Sequence, residues 1–375
     1  MTSEMDPDDL FGALYARGGA AEAVSGGAWL QAMLDVEASL ARACAAEGLI
    51  PPRSAEAIGA ACDAASFNLA AIAAATAESA TPVIALVARL RELVGPEHAA
   101  HVHLGATSQD VIDTAAMLVS RRALEPLLAD ADSAARGAAA LAAEHAATQM
   151  AARTILQQAQ RSTFGVRAAG WHTGLREATA LLRATSSARL AVQMGGPVGT
   201  RSPEIAARVA ADLGLAEPVM PWGAIRNRPA ELACALGILA GVLAKIARDT
   251  TLFAQNEVAE LREGGGAGRG GSSAMAHKRN PVASVAVLAA AKRVPGLVST
   301  MLAGMEQEHE RAAGAWQAEW GTLSELLALT GSAAAWGADL LGGLEVDTAA
   351  MARHAEGLDG ELAGAGPLIE RALRA

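Results

Sequence analysis

Apolar residues recur along this chain at spacings of three and four, which is the period of an amphipathic α-helix. The clearest case lies at Leu232, Leu236, Leu239, Leu243 and Ile246, where the two spacings alternate as in a heptad seam. A seam of this kind needs a partner helix on the same face. No run alternates apolar and polar residues as a half-buried strand does, so the pattern predicts an all-α protein.

The same periodicity predicts six longer helices. They span residues 28–47, 108–147, 163–191, 229–263, 281–303 and 308–341. Gly48 and the pair Pro51-Pro52 end the first of them, as glycine and proline often do after a helix. A helix from 229 to 263 would be on the order of 50 Å long, more than a compact single domain covers. Long helices with seam-like faces therefore predict a bundle that other subunits complete.

The predicted helices fall into three parts. A small N-terminal helical domain spans 1–100, a central long-helix bundle spans 101–342, and a short helical tail spans 343–375. Glycine-rich breaks interrupt the central part at 195–200 and at 264–271. The second break is expected to be mobile unless a ligand holds it, because glycine leaves the backbone free.

Composition narrows the class of protein. With 52% hydrophobic and 19% charged residues, the chain can bury enough surface to fold compactly. A net charge of −10 argues against a nucleic-acid partner, which would require clustered Lys and Arg. The N-terminus is acidic where a secretory signal would be basic, which favours a cytoplasmic protein. The most apolar stretch, 232–244, is shorter than the roughly 18 residues of a membrane span, so no membrane partner is expected.

Cysteine spacing and the glycine-rich break were tested for cofactor binding. Cys44, Cys62 and Cys234 lack the spacing of metal ligands, so no metal site is predicted. Glycines at 266, 268 and 271 match GxGxxG, but no strand precedes them and no acidic residue follows about twenty positions later. A phosphate-binding P-loop needs Lys where Gly271 stands. The sequence therefore predicts no nucleotide cofactor.

The residues after this glycine run read GSSAMAHKRNP over 271–281. Asn280 as N-cap and Pro281 in the first turn predict the start of a helix, so a flexible loop before a capped helix would explain the segment. A helix N-terminus also attracts anions, and Lys278 and Asn280 lie beside it. Ser272 on the mobile segment would then close over a bound carboxylate as part of a lid.

A second candidate segment reads HLGATSQD over 103–110, just before a long predicted helix. Thr107 and Asp110 have the spacing of a capping box, which alone could explain the motif. The hydroxyls of Thr107 and Ser108 at a helix N-terminus are equally suited to bind a carboxylate. At this level the structural and the functional interpretation both stay open.

Together with a third segment, these motifs resemble the shared blocks of the fumarase/aspartase superfamily. The first block is TSQDVIDT (107–114), the second is TILQQA (154–159), and the third is GSSAMAHKRNP (271–281). They are similar to the superfamily patterns TSxDxxxT, TxxQxAxP and GSSxMPxKxNP. Within the superfamily, the stretches at 103–114, 163–171 and 307–320 are most similar to the cycloisomerases that act on 3-carboxy-cis,cis-muconate. The resemblance extends from the first helix to about residue 340.

The resemblance implies a fold and a chemistry. The fold is all-α, with a long central helix bundle of the L-aspartase type, in a homotetramer whose active sites combine the three blocks from different subunits. The chemistry makes or breaks a bond β to a carboxylate of a polycarboxylate substrate through an aci-carboxylate carbanion, without metal or other cofactor. Ser272 would be the acid/base group, and Lys278 and Asn280 would stabilise the carbanion. The implied substrate contacts are His103, Thr107, Ser108, Thr154, Gln157 and Met275.

Several positions depart from the family patterns. Ala276 and Arg161 replace prolines, and Gly223 and Asn227 replace a histidine and an aspartate of the cycloisomerases. Arg161 is expected to bring positive charge to the site. Ile155 stands where adenylosuccinate lyases carry a catalytic histidine, which argues against that activity. Two alternatives stay open: a β-elimination lyase that releases fumarate from a substituted succinate, and an inactive helical oligomer.

Overall fold

The computed structural model describes residues 10–265, 269–275 and 277–374. Within these ranges most of the chain is helical. The α-helices are α1 (Ala20–Ala23), α2 (Gly26–Ala46), α3 (Pro52–Ala61), α4 (Leu69–Ser79), α5 (Val83–Val94), α6 (Ser108–Glu144), α7 (Phe164–Arg189), α8 (Pro203–Leu213), α9 (Asn227–Phe253), α10 (Val282–Ala303), α11 (Ala315–Gly342), α12 (Thr348–Ala355) and α13 (Ala365–Arg374). The strands are β1 (Gln149–Thr154), β2 (Gln157–Thr163), β3 (Leu261–Glu263) and β4 (Leu344–Val346).

The core of the molecule is a bundle of five long helices, α6, α7, α9, α10 and α11. Helix α6 has 37 residues and is about 55 Å long. The predicted seam of α9, from Leu232 to Ile246, is at most 2% exposed and faces α7, α10 and α11. The predicted all-α bundle and the partner helices of the seam are therefore confirmed.

Small residues let these helices approach closely. Gly331 of α11 lies directly against Ala20 of α1, and an added Cβ there would collide with the Ala20 side chain. Gly337, two turns further along α11, would place a Cβ only 2.6 Å from Leu243 of α9. The alanine- and glycine-rich composition thus serves close helix packing, since interiors have almost no spare volume.

The N-terminal helices pack against one side of the bundle. Helix α2 begins after Ser25, whose hydroxyl accepts a hydrogen bond from Ala28 N at 3.2 Å, as an N-cap does. It contacts α3, α6 and α8. The C-terminal helices α12 and α13 lie against β1 and α7. The predicted division of the chain at 100 and 343 stays a prediction.

The structure differs from the expected elements in three places. The last long helix begins at Ala315 rather than at 308, because the Glu308 side chain accepts a hydrogen bond from Ala313 N and Gly314 takes a φ of 112°. The helix predicted over 229–263 ends at Phe253, and β3 follows. Strands β1 and β2, a short antiparallel hairpin, were not expected, because their sequences are mostly polar and lack regular alternation.

Helices α9 and α10 are long and apolar enough to cross a membrane, judged by length and composition only. The uncharged stretch 232–244 lies inside α9, which continues past the charged residues Glu231 and Lys245 to a length of 27 residues. The expected absence of a membrane partner stays a prediction. Of the most apolar 18-residue segment of each helix, 56% is buried within the protein for α9 and 33% for α10. Core helices of soluble proteins pass the same test, so this is weak evidence for a membrane.

Candidate active site

The first block lies at the N-terminus of α6, where a buried aspartate fixes the backbone. Asp110 accepts hydrogen bonds from the backbone N–H groups of Thr107 (3.1 Å), Gly195 (2.9 Å) and Gly196 (2.8 Å). Burial raises the pKa of the Asp110 carboxyl, and these donors oppose that rise. The start of α6, with Thr107 and Ser108, is thereby held against the turn at 195–196.

A buried ion cluster, which sequence reasoning missed, lies one turn further along α6. Arg226 pairs with Asp113 at 2.7 Å and with Glu319 at 2.6 Å, and all three side chains are at most 5% exposed. Burial raises the pKa of Glu319. Burial alone would lower the pKa of Arg226, but the two neighbouring carboxylates outweigh this effect, so the pKa of Arg226 is raised. The cluster joins α6, α11 and the start of α9 at the end of the bundle that carries the first block.

Arg311 brings a further cation to this end of the bundle. Its Nε donates to Gln109 Oε1 at 3.3 Å, and its Nη2 donates to Pro197 O at 3.4 Å. Gln109 Nε2 in turn donates to Gly223 O at 2.6 Å. Resemblance pointed to the segment 307–320, but only packing shows that this arginine reaches the second residue of α6.

His103, four residues before Thr107, is held from the N-terminal helices. Its Nδ1 lies 2.6 Å from Oε1 of Glu37, a buried residue of α2. The His103 backbone takes a φ of 61°, in the left-handed region that non-glycine residues rarely adopt. The imidazole is thus fixed both by its backbone turn and by a carboxylate.

The second block forms the tip of the β1–β2 hairpin. Thr154 and Gln157 pair across the strands, and the two-residue turn between them is Ile155-Leu156. Both turn residues have positive φ (50° and 65°) and are 94% and 81% exposed. Such a turn normally carries Asn and Gly, so this tip is strained and apolar. Thr154 and Gln157 are both exposed at this tip.

The hairpin is fixed to the bundle close to its tip, where Arg153 pairs with another buried carboxylate. Arg153 donates to both oxygens of Glu260 at 2.9 and 2.8 Å, and His354 Nδ1 lies 2.7 Å from Glu260 Oε1. The Glu260 side chain is fully buried. The hairpin, the segment before β3 and the C-terminal helix α12 therefore meet at one point.

The third block forms a loop that is closed at its base. Asn280 N donates to Gly270 O at 2.7 Å and so closes the neck of the loop. Gly270 has a φ of 69°. The two chain segments can come this close because Gly270 has no side chain; an added Cβ would collide with Asn280 O. Ser272 Oγ accepts hydrogen bonds from the backbone N–H groups of Ala274 (3.3 Å) and Met275 (3.1 Å). The glycines at 266 and 268 and the departure at Ala276 lie outside the described residues.

The predicted cap and anion site of α10 are wrong. Helix α10 begins at Val282 and its N-cap position is Pro281, not Asn280. The Glu263 carboxylate accepts hydrogen bonds from Ala283 N at 2.9 Å and Ser284 N at 2.8 Å. The chain's own carboxylate therefore occupies this helix N-terminus, which is not available to a substrate anion.

Arg161 is held against the C-terminal part of the chain, and its expected contribution of charge to the site stays a prediction. Its Nη2 donates to Leu358 O at 2.7 Å, and its backbone N donates to Asp359 O at 2.8 Å. These bonds attach β2 to the segment between α12 and α13. Within the ranges that the structure describes, no group of three or more His, Cys, Asp or Glu side chains is placed to hold a metal ion.

The three blocks do not lie together in one chain. The first block begins α6, whereas the second follows its C-terminal end, which is about 55 Å away. The third block follows β3, and β3 pairs with β4, which comes directly after α11. At this end of α11, Leu341 packs against Gly137, which lies in the C-terminal part of α6. The first block is therefore separated from the other two by most of the length of α6.

Comparison with known proteins decides the family. A model of a lyase family matches residues 18–296. The chain belongs to this lyase family. It is 47% identical to a 3-carboxy-cis,cis-muconate cycloisomerase of Bradyrhizobium diazoefficiens over 88% of this chain and 75% of that protein. It is also 40% identical to a nitrosuccinate lyase of Streptomyces davaonensis, over 91% of this chain and 75% of that protein.

Solved structures of the lyase family have the same fold. The crystal structure of 3-carboxy-cis,cis-muconate lactonizing enzyme from Pseudomonas putida matches with a TM-score of 0.88 and 39% identity, covering 92% of this chain and 79% of that chain. A fumarate lyase from Mesorhizobium matches with a TM-score of 0.81 and 31% identity, covering 90% and 78%. The fumarase/aspartase fold and family predicted from the three blocks are confirmed, while the roles of the individual site residues stay predictions.

Proposed function

We propose that this chain is an enzyme that converts 3-carboxy-cis,cis-muconate into 4-carboxymuconolactone, with Ser272 as the acid/base group. Relatives with this activity in their names are 47%, 43% and 40% identical to the chain. The observation that carries the proposal is the environment of Ser272, whose Oγ accepts two backbone N–H groups. Such donors stabilise an alkoxide, which a serine must form to exchange protons with carbon.

The reaction needs one new C–O bond and one proton. An oxygen of one substrate carboxylate adds to an alkene carbon, and the alkene electron pair moves to the carbon next to another carboxylate. Ser272 delivers its proton to that carbon, and the resulting alkoxide is held by Ala274 N and Met275 N until solvent reprotonates it. No electrons leave the substrate, so the proposed step needs no redox cofactor.

The intermediate carries extra negative charge, and the proposal assigns its stabilisation to fixed donors. Lys278 and Asn280 of the third block supply a cation and an amide. Thr107 and Ser108 add hydroxyls at the N-terminus of α6, where the helix dipole favours anions. His103, Thr154, Gln157 and Met275 are proposed to complete the contacts to the substrate. Arg311, held beside α6, adds a cation that lets an acidic protein attract a polycarboxylate.

The active form is proposed to be a homotetramer whose sites combine blocks from different subunits. One chain cannot bring its first block to its third, because most of the length of α6 separates them. The bundle also keeps apolar surface for a second copy. A groove of about 640 Å³ between α7 and α9 is lined by Val166, Trp171, Ile238 and Val242, and Val285 on α10 is 50% exposed. A soluble, cytoplasmic location is part of the same proposal.

A β-elimination lyase is the second candidate, because the nitrosuccinate lyase is as similar to this chain as one of the cycloisomerases. That reaction would release fumarate from a substituted succinate. Ile155 at the hairpin tip has no proton to give to a leaving group. Both candidates are compatible with this, since carboxylate and nitrite leave without being protonated.

Activity assays separate the candidates. The purified protein is incubated with 3-carboxy-cis,cis-muconate, and the loss of diene absorbance is followed. Parallel reactions contain 2-nitrosuccinate, and the appearance of fumarate is followed. We expect turnover of the muconate, and its loss in Ser272→Ala but not in the neighbouring control Ser273→Ala. Turnover of 2-nitrosuccinate alone would select the second candidate, and an unimpaired Ser272→Ala would remove Ser272 from the mechanism.

Mixing two inactive variants tests the shared site. Ser272→Ala and Thr107→Val each damage one block, so neither is expected to turn over substrate as a homotetramer. After dissociation and reassembly together, some sites contain an intact first block and an intact third block from different subunits. We expect activity to return in the mixture and a tetramer on sedimentation. A stable monomer with full activity would exclude the proposed architecture.

A further inference from the structure

Glu37 is a buried carboxylate whose place in the fold does not need a charge. It lies in the middle of α2, between the buried residues Val36 and Ala38, and its side chain is 0% exposed. A buried carboxylate is costly unless hydrogen bonds compensate it. Its Oε2 has no hydrogen-bond partner within the described residues, and Oε1 contacts only His103. The single polar contact therefore defines what this residue does.

That contact fixes which nitrogen of His103 is left for other partners. Nδ1 lies 2.6 Å from Glu37 Oε1, so this nitrogen is engaged by the carboxyl group. Nε2 lies on the opposite side of the ring and is the nitrogen left for a further partner. The His103 side chain is 16% exposed, so the ring is enclosed but reachable.

The turn around His103 is constrained from a second direction. Arg201 Nη1 donates to Leu104 O at 2.7 Å, and its Nη2 lies 3.2 Å from Cys44 Sγ on α2. Gly105 also has a positive φ, of 68°, and is packed against the Arg201 guanidinium. A strained backbone persists only where its surroundings hold it, and such places are often functional. Here the strain lies in the turn that leads directly into Thr107.

We infer that Glu37 is a positioning residue for substrate binding, acting through His103 by holding Nε2 toward the N-terminus of α6, where it contacts a substrate carboxylate. This inference rests on the proposed function only for the identity of the substrate class, a polycarboxylate. It assigns to the N-terminal helices, which carry none of the three blocks, a direct part in the site. Partners that orient metal-binding histidines change affinity or activity about 10- to 100-fold when removed, and the lower end of that range sets the effect expected here.

Binding of an unreactive tricarboxylate tests the inference without turnover. Tricarballylate is titrated into the wild-type protein by calorimetry, and the same is done for Glu37→Met, which fills the buried space without a charge. We expect the Kd to rise about tenfold in Glu37→Met, and less in Glu37→Gln, which keeps an acceptor for Nδ1. Asp35→Asn is the matched control, an acid-to-amide change on the same helix whose side chain pairs with Arg122. Its Kd is expected to stay within about twofold.

A double variant separates positioning from a structural role. If Glu37 acts through His103, then His103→Asn adds no further loss in the Glu37→Met background. A further tenfold loss there, or wild-type affinity in Glu37→Met, would overturn the inference. If Glu37→Met does not assemble, Glu37→Gln alone must still weaken binding at least threefold, and equal binding refutes the role. A wild type that turns over muconate but binds no tricarballylate would remove this inference while leaving the proposed function intact.

Discussion

Removing Arg226 should destabilise the fold more than any surface substitution. Its guanidinium donates to Asp113, Glu319 and Gly223 O, and it lies 4.9 Å from the Trp222 ring centroid. Arg226→Met keeps much of the volume but leaves two buried carboxylates facing each other. Breaking a buried ion pair from one side costs about 3–5 kcal/mol, so we expect the free energy of unfolding to fall by that amount.

The control is Arg262→Met on β3. Arg262 pairs with Glu345 of β4, but its side chain is 72% exposed, so solvent screens the pair and its loss should cost less than about 1 kcal/mol. Urea unfolding of both variants and of the wild type is compared at one protein concentration, because assembly contributes to apparent stability. Equal effects of the two substitutions would refute the reasoning.

The pH dependence gives the same experiment a second criterion. Without Arg226, no cation opposes the burial that raises the pKa of Glu319, so the folded-state pKa of this carboxyl stays above its unfolded value. A carboxyl group whose pKa is raised in the folded state is neutral at low pH and then costs no stability. As pH rises it ionises in its buried site, and the fold is destabilised. The stability deficit of Arg226→Met should therefore be larger at pH 8 than at pH 5. A deficit that grows on acidification would show that the carboxylates are not its cause.

Three further substitutions or reactions have defined outcomes. Glu263→Ala should lower the free energy of unfolding by about 1–2 kcal/mol, since it removes the cap of α10, and an unchanged thermal midpoint would contradict this. Ile155→Asn with Leu156→Gly should relieve about 1 kcal/mol or more of turn strain, so that thermal stability is kept or raised, while muconate turnover falls if the tip belongs to the site. Burial raises the pKa of Cys62 to about 12, so iodoacetamide at pH 8 should leave it unmodified in the native protein but alkylate it after unfolding, as read by mass spectrometry.

The fold was predictable because its signal is local and repeated. Apolar residues at helical spacing mark each long helix, and the observed boundaries of α2, α6, α7 and α10 lie within three residues of those expected. The β1–β2 hairpin carries no such signal. Its strands are short and polar, and its turn uses Ile155 and Leu156 in a conformation that their side chains disfavour.

The candidate site was predictable only where it is contiguous in sequence. The three blocks can be found in the sequence because they contain hydroxyl, amide and cationic residues at fixed spacing. In the ion cluster, Arg226 is 113 residues from Asp113 and 93 residues from Glu319 in sequence. Only the packing of α6 against α11 brings the three side chains together. The same holds for Glu263, which precedes the glycine-rich break in sequence yet caps a helix that starts nineteen residues later.

The closed neck between Gly270 and Asn280 has a consequence for affinity. Fixing one backbone residue costs about 1–2 kcal/mol of conformational entropy. If the whole segment 264–281 had to be ordered on binding, this cost would offset much of the binding free energy of a small substrate. The neck and the Ser272 turn restrict part of this segment before any ligand arrives. The free energy of the substrate contacts proposed for the third block would therefore contribute to transition-state binding, because less of it is spent on ordering the chain.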